Sequence, residues 1–519
     1  MRKALYSAAA VVLTSSLVVS APAEAKSSHD RSHGKSTVDT RRLTKAVTVN
    51  GQLKTLRQLQ VIANRNEGNR ASGLPGYDAS ADYVAKQLKK AGYKVKKQTF
   101  TFPFSRDLAP AELQQLTPTA QDIATAALDY SGSGDVTGSV QAVDLTIPPT
   151  PEPSSTSGCE AADFAGFTAG NIALVQRGSC DFVVKANNAL AAGAVAVIIF
   201  NEGQPGRDGL LEGTLGTPVS IPVVGISYAD GAALASAPST VRVFTSTEVD
   251  LERETTNVIA DLPRKTKNPD QVVVVGAHLD SVPAGPGIND NGTGTAGTLE
   301  IAKQFAKTGL SKKAQRPVRF AFWGAEEKGL LGSEHYVASL TDAQRAKIYA
   351  NLNFDMIGSP NFVRFVYDGD GSEDGNAGPA GSAEIEKVFL DYFRKKGLAS
   401  SPTAFDGRSD YGPFIAVGIP AGGLFSGAEG IKTPEEAAVY GGTAGLAYDP
   451  CYHQACDDIT NLSTRSIDQL GDAAAHATAT LVLSKKGLFG DAKRKLSSAS
   501  AKASAAAQAA EGHGHTLTR

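Results

Sequence analysis

From residue 256 onward the apolar positions of the chain fall into two patterns that alternate. Short runs, "NVIADL", "QVVVVGAHLDS", "PVRFAFWGAEE" and "FVRFVYDG", read as strands, and helical runs such as "GTAGTLEIAKQFAK" and "SAEIEKVFLDYFRKKG" lie between them. That alternation predicts an α/β domain: a mainly parallel, mixed sheet with helices on both faces. The last helix of the pattern runs from roughly 466 to 484.

Upstream the pattern changes twice. Residues 43–104 hold two helix-like stretches, the second being "DASADYVAKQLKKAGYKV", with Asp78 or Ser80 as cap candidates and Gly92 as the stop. "KVKKQTFTF" then alternates as a strand does. From 105 the composition shifts to Pro, Thr, Gly and Ser, ending in the loop "TIPPTPEPSSTSG". The next segment, "NIALVQRGSCDFVVKANNALAAGAVAVIIFNEG", runs strand, turn, helix, strand, and "AVAVIIF" is apolar enough to be buried on both faces. "TPVSIPVVGISYADGAAL" and "STVRVFTSTEVD" continue in strand-and-turn style to 250. A small β-rich α+β domain over 105–250 is therefore expected inside a larger domain made of 43–104 and 251–488. A chain of 519 residues exceeds what one core supports, in keeping with two domains.

The ends read as dispensable to the fold. Arg2 and Lys3, an apolar stretch of signal-peptide length, and Ala23-Glu24-Ala25 before Lys26 predict a cleaved secretory signal over 1–25 and hence an extracellular protein. A membrane anchor is the competing reading, but the apolar run is short and holds Thr14, Ser15 and Ser16, and no later segment is suited to spanning a bilayer. Residues 26–42 are polar and without apolar period, as a disordered leader or propeptide is. The Ala/Ser-rich tail over 489–519 contributes no core, and its His513 and His515 read equally as ornament and as metal binders.

Charge and cysteines narrow the partners. A net charge of -2 supplies no electrostatic footprint for nucleic acid or anionic lipid, so neither is expected as a partner. The 4 cysteines, an even number in an exported chain, suggest two disulfides. Three connectivities are open, and the sequence-local pairing, Cys159–Cys180 with Cys451–Cys456, is the one expected.

Candidate chemistry gathers at the ends of the expected strands, where open α/β sheets bind ligands. In "VVVVGAHLDS" a strand ends and His278 and Asp280 follow at once. Residues two apart share a side of an extended chain, so Asp280 can accept the proton on the far imidazole nitrogen and orient the ring. A His-Asp pair in a polar loop is the other reading. "GINDNGTGTAG" offers Asn289, Asp290 and Asn291 before a glycine-rich helix start. Capping and loop chemistry account for them, yet a helix with Gly292, Gly294 and Gly297 packs close to the sheet and leaves Asp290 free to point over the strand ends. Glu326 and Glu327 follow "RPVRFAFW", and "YANLNFDMIG" delivers Asp355. Singly each reads as a surface acid; together they are three acidic sites at strand ends in one domain. "DPCYHQACDD" adds Tyr452 and His453 inside a loop that a Cys451–Cys456 bridge would restrict. His335 and His476, in helix-like runs, suit packed or solvated roles.

Two histidines with three or four carboxylates suit zinc, and suffice for two ions sharing one bridging acid. Two ions roughly 3.5 to 4 Å apart clamp the attacking water and the carbonyl oxygen of a substrate. The remaining glutamate is then free to act as general acid and base.

The ordered set HxD, "NDNGTG", "GAEEKGLLGS", "NFDMIG" and "CYHQACD" closely resembles the secreted bacterial leucyl aminopeptidases of the co-catalytic di-zinc type. The likeness covers about 256 to 484 and the lead-in "EGNRASGLPGYDASADYVAKQL". The inserted segment looks like a protease-associated (PA) domain. The resemblance implies a zinc-peptidase, phosphorylase/hydrolase-like fold holding two Zn2+, acting as a monomer on the N-termini of peptides or proteins. Carried over by position, it makes Asp290 the bridging ligand, with His278 and Asp355 on one zinc and Glu327 and His453 on the other. Glu326 becomes the general base, Tyr452 a hydrogen-bond donor to the oxyanion, and Asp280 keeps its orienting role. It also sets Arg408, in "FDGRSDYGPF", beside the substrate, and Phe425, in "AGGLFSGAEG", at the wall of the pocket for the N-terminal side chain. An ordinary loop arginine and a core phenylalanine are the other readings of these two. Asp468 and Asp472, at i and i+4 on the final helix, match a calcium position in some relatives. First-turn acids favouring the helix dipole are the alternative, and the N-terminal part of that calcium site is not recognisable.

The activity that follows is a secreted metalloaminopeptidase preferring large apolar N-terminal residues such as leucine. A carboxypeptidase or a glutaminyl cyclase on the same scaffold is the nearest rival. The first needs a cationic cluster for the substrate carboxylate, which Arg408 alone does not make; the second usually needs one zinc. An inactive binding protein that recruits partners through the PA domain is the remaining alternative, against which stand the complete ligand set and Glu326.

Overall fold

Four consecutive valines open the strand Val272–His278, and it lies at the centre of the larger domain with parallel neighbours on both sides. This computed structural model describes residues 38–373, 375–487 and 489. The expected signal peptide, residues 26–37 of the leader and the tail beyond 489 lie outside those residues.

The sheet of the larger domain runs in the order Ser401–Thr403, Phe365–Tyr367, Ala421–Phe425, Ile348–Phe354, Val272–His278, Val318–Trp323 and the end of Thr240–Asp261. Its four middle strands are parallel, and antiparallel pairings flank them. Successive residues of a strand face opposite sides of the sheet, so one run of apolar residues feeds two cores. Val273, Val275, Phe320 and Phe322 pack with residues of the helices Gly292–Lys307 and Thr464–Leu483. Val274, Ala321 and Trp323 pack on the other face with Tyr336, Val337 and Phe414. Each such side chain, fully buried, is worth about 1.5–3 kcal/mol. The domain is thus the α/β arrangement expected, with helices on both faces.

Some local details differ from the sequence reading. The helix Pro75–Lys90 starts with proline at its first position, so Asp78 and Ser80 lie inside it rather than at the cap. A proline with its preset φ begins a helix without losing a hydrogen bond. Among the described residues regular structure begins at the helix Arg41–Thr44, two residues ahead of the expected boundary at 43, and Leu43 is buried there. Thr40 Oγ1 lies 2.7 Å from His476 Nδ1, and His335 stacks on Phe100.

The inserted domain has its own sheet. Gly134–Ala142, Ile172–Gln176, Ala196–Phe200 and Val223–Ile226 pair in parallel, with the helices Phe182–Ala191 and Tyr228–Ser236 packed against them. Its connection to the larger domain is a ribbon. Lys94–Thr117 and Thr240–Asp261 pair antiparallel along their whole length, apart from four register shifts. One end of Thr240–Asp261 pairs with Gly134–Ala142 and the other with Val318–Trp323. Positions 105 and 250 therefore both lie within continuous strands that serve both sheets. Cys159 is joined to Cys180 and Cys451 to Cys456. Among the described residues no helix is long and apolar enough to cross a membrane.

Candidate active site

Three parallel strands end together, and their last residues deliver the acids. His278 is in register with Trp323, so Glu326 and Glu327 emerge at the same sheet edge three and four residues later. Phe354 ends the third strand, and Asp355 follows it. The fourth contribution comes from Asn291, whose side chain caps the helix Gly292–Lys307 by accepting from the Gly294 N–H at 2.8 Å and donates to the Phe354 carbonyl at 3.0 Å. That cap leaves Asp290 turned over the strand ends.

The side chains meet in two groups that share Asp290. His278 Nε2 lies 3.1 Å from Asp355 Oδ1, 3.2 Å from Asp290 Oδ1 and 3.8 Å from Glu326 Oε2. His453 Nε2 lies 3.1 Å from Glu327 Oε2 and 3.3 Å from Asp290 Oδ2. One carboxylate, Asp290, thus turns one oxygen to each imidazole. On the far side of the ring, His278 Nδ1 faces Asp280 Oδ1 at 3.4 Å.

Glu326 and Glu327 diverge because the backbone beneath them is not a strand. Ala325 (φ 53°), Gly329 (φ 101°) and Leu330 (φ 63°) fold residues 325–331 into a tight turn. The N–H groups of Gly329 and Leu330 both donate to the Glu326 carbonyl, at 2.8 and 2.9 Å. Positive φ costs about 1–2 kcal/mol at each non-glycine residue, so the turn needs support from outside. Asp280 supplies part of it, accepting from the Glu326 N–H at 3.3 Å and the Glu327 N–H at 3.4 Å. Ser72 Oγ accepts from the Ala325 N–H at 2.6 Å. Asp280 therefore touches both the histidine ring and the glutamate turn.

The donor set fits divalent cations. Two imidazoles face four buried or nearly buried carboxylates, and Glu327 Oε1 is buried with no hydrogen-bond partner. A ring nitrogen ringed by three carboxylate oxygens cannot bond to all of them through a single N–H. Burial and the neighbouring acids push Glu326 and Glu327 above the usual carboxylate range. Burial opposes the charged imidazoles, but Asp355 and Glu326 outweigh it at His278, and Glu327 and Asp290 raise His453 to about 11. A site this rich in buried negative charge with imidazole and carboxylate donors suits zinc.

A cleft of about 520 Å3, partly open to solvent, lies over these residues and is bounded by Tyr367, Arg408, Phe425 and Tyr452. A family model described as Peptidase family M28 matches residues 257–478, and a PA domain model matches residues 136–234. An aminopeptidase of Pseudomonas aeruginosa is 49% identical over 453 residues, which is 86% of this chain and 83% of that protein. The chain belongs to peptidase family M28. A leucine aminopeptidase 2 of Trichophyton equinum is 42% identical over 427 residues, 81% of each chain. The crystal structure of a zinc aminopeptidase from Bacillus subtilis superposes with a TM-score of 0.63 at 28% identity, over 86% of this chain and 99% of that one. This M28 peptidase carries aminopeptidase function on a zinc-peptidase scaffold with a PA domain, and the family implies zinc as its metal.

Residues that lie in the recognised motifs but were given no role from the sequence hold the M28 site together. Arg70 is fully buried and donates from its guanidinium to the carbonyls of Leu279, Pro286 (2.8 Å) and Gly287 (2.5 Å), on the segment that links His278 to Asp290. Asp457 accepts from the N–H groups of Asn289 and Asp290 at 2.8 and 2.9 Å. Asp449 accepts from the Asn289 side chain at 2.6 Å and the Cys451 N–H at 2.9 Å, fastening the disulfide loop of His453 to the Asp290 segment. Ser409 donates to Asp355 Oδ2 at 2.5 Å. Asp410 beside it is fully buried, and burial pushes its carboxyl up to about 8.

Around the rim, Arg408 pairs with Glu429 at 2.8 Å and donates to the Tyr452 hydroxyl at 3.3 Å. The Tyr452 ring stacks on that of His453, with centroids 3.9 Å apart. Phe425 stacks on Phe365 and lines the cleft. Asp468 and Asp472 are elsewhere, on the helix Thr464–Leu483. Asp472 accepts from the Tyr392 hydroxyl at 3.3 Å and lies 4.0 Å from the Lys396 ammonium, and burial with the neighbouring Asp468 pushes its carboxyl up to about 6.

Proposed function

We propose that this M28 peptidase is a secreted di-zinc aminopeptidase that removes one residue from the N-terminus of peptides, with preference for large apolar residues such as leucine. The observation that carries the reading is the sharing of Asp290 between two imidazole-carboxylate groups. His278 and Asp355 would hold one zinc, His453 and Glu327 the other, and Asp290 both. Bound there, zinc would polarise the scissile carbonyl and acidify the attacking water. Asp468 and Asp472, four residues apart on the helix Thr464–Leu483, are the pair at which a calcium ion would bind.

The chain's own residues supply the rest. Glu326 is 7% exposed and left over from the ligand sets, so it is the group that takes the proton of the attacking water and passes it to the leaving amine. Glu326 and Asp355 also make the end of the cleft acidic, which suits a free α-ammonium and makes the enzyme an exopeptidase. Burial, with Asp290 and Glu327, holds the Tyr452 hydroxyl far above its ordinary pKa, so it stays protonated and donates to the developing oxyanion. Arg408, which donates to that hydroxyl, would steady it and lie beside the substrate. Phe425, Met356 and Tyr367 give the cleft an apolar wall for the N-terminal side chain. Asp280 orients His278 and braces the glutamate turn. Secretion is supported by the signal-like N-terminus and two disulfides.

The test is release of leucine from a leucyl anilide, with loss on chelation and recovery on adding zinc. Cleavage of N-acetylated or carboxyl-terminal substrates with no leucyl anilide turnover would overturn the reading.

A further inference from the structure

We infer that the inserted PA domain positions the acidic turn of the active site, with Lys328 and Asp129 as the positioning residues. The inference rests on the roles given to Glu326 and Glu327 above.

The turn does not hold itself. Ala325 and Leu330 sit at φ 53° and 63°, a conformation that side-chain-bearing residues keep only when their surroundings impose it. Ser72 and Asp280 brace it from inside the larger domain. Further supports come from the inserted domain and its ribbon. Phe100, Phe102 and Phe104 of the ribbon form one apolar cluster with Ala325, and Leu331 packs against it, so both ends of the turn rest on the ribbon. At the apex, Lys328 Nζ lies 3.4 Å from Asp129 Oδ2, with side chains 24% and 31% exposed.

Asp129 is itself well anchored in the inserted domain. Its N–H donates to the Gly213 carbonyl at 2.9 Å, its carbonyl accepts from the Leu215 N–H at 3.0 Å, and the next N–H, of Tyr130, donates to Ser105 Oγ of the ribbon at 2.8 Å. A fixed carboxylate on one domain thus grips the residue that directly follows Glu327 on the other. Among the described residues, no residue of 105–250 lines the cleft. The domain therefore acts on the glutamates and not on the pocket wall. Catalytic groups lose rate steeply when displaced by an ångström, so breaking the pair should lower kcat and spare KM.

The experiment uses the full-length, zinc-loaded enzyme and a leucyl anilide. Lys328→Met and Asp129→Asn should each lower kcat about three- to tenfold, the size expected for one partly exposed ion pair and a small displacement. KM should stay within about twofold, and zinc content and thermal midpoint should match the parent. The charge-swapped double variant, Asp129→Lys with Lys328→Asp, should recover most of the lost kcat. Lys347→Met, which breaks the Lys347–Asp270 pair at 3.0 Å away from the site, is the control and should leave kcat unchanged. Parental kcat in both single variants would overturn the inference. So would a swap no better than the singles, or a kcat loss that only tracks lost zinc or lost fold. Glu326→Gln in the same series separates the two claims: if it stays active, the assignment of the base fails, whatever Lys328 does.

Discussion

Replacing Arg70 by methionine tests the idea that the metal centre is held by the backbone turns around it. The side chain is fully buried, and its guanidinium serves three carbonyls, those of Leu279, Pro286 and Gly287. Burial lowers its pKa to about 10, with Asp280, Asp457, Asp290 and Glu327 opposing the shift. Arg70→Met removes the charge and all three donors at once. A buried acceptor left without a partner costs about 1–3 kcal/mol. The Gly287 carbonyl keeps the Gly292 N–H at 3.1 Å, so two carbonyls, of Leu279 and Pro286, are left alone; they give about 2–6 kcal/mol before relaxation and entry of water, against a total stability of roughly 5–15 kcal/mol for a typical domain. Because the three carbonyls lie on the segment between His278 and Asp290, the loss falls first on zinc. Partners of metal ligands are worth about 10- to 100-fold in affinity, so the half-saturating zinc concentration in a chelator-buffered activity titration should rise by that factor. The thermal midpoint should fall, and by more in chelator than in zinc. Arg70→Lys keeps the charge but cannot reach all three carbonyls, and should lie between the two. Parental zinc titration and thermal midpoint in Arg70→Met would refute the reasoning.

The two glutamates should separate by assay: Glu326→Gln is expected to keep its zinc while kcat falls about 100- to 10,000-fold, and Glu327→Gln is expected to lose zinc, as measured by metal analysis of the purified variants. Equal metal loss in both would remove the division of labour. In the inserted domain, Lys185 is fully buried, donates to the Ser157 carbonyl at 2.5 Å, and has its pKa lowered by burial from 10.5 to about 8. The unfolded chain then binds more protons between pH 8 and 10.5, so stability should rise across that window by up to about 3 kcal/mol. Denaturant unfolding at pH 7.5 and 10 should show this rise in the parent and a smaller one in Lys185→Met.

Much of the larger domain was legible because its signals are local. A run such as "VVVVGAHLD" carries both a strand and the residues at its end, and the parallel order of the strands brings those ends together. The supports were not legible. Arg70 meets its partners more than 200 residues away, and those partners are carbonyls, which every residue has. Asp457 likewise binds two backbone N–H groups. Positions 105 and 250 mark changes of composition, yet backbone pairing runs through both, because strand pairing depends little on the side chains that define a compositional shift.

By itself the sequence determined the strands that end at His278, Trp323 and Phe354, the acids that follow them, and that these types with two histidines suit zinc; it did not mark the strand Ala421–Phe425 beside them. Hydrophobic period and residue chemistry are properties of short segments, and they survive without knowledge of the rest of the chain. Only the tertiary structure decided that Asp290 turns one oxygen to each histidine and that Ala325 and Leu330 adopt positive φ. It also decided that Lys328 reaches Asp129. Those are matters of direction and distance between segments far apart in the chain, and they are set by packing around the turn, which no single segment encodes.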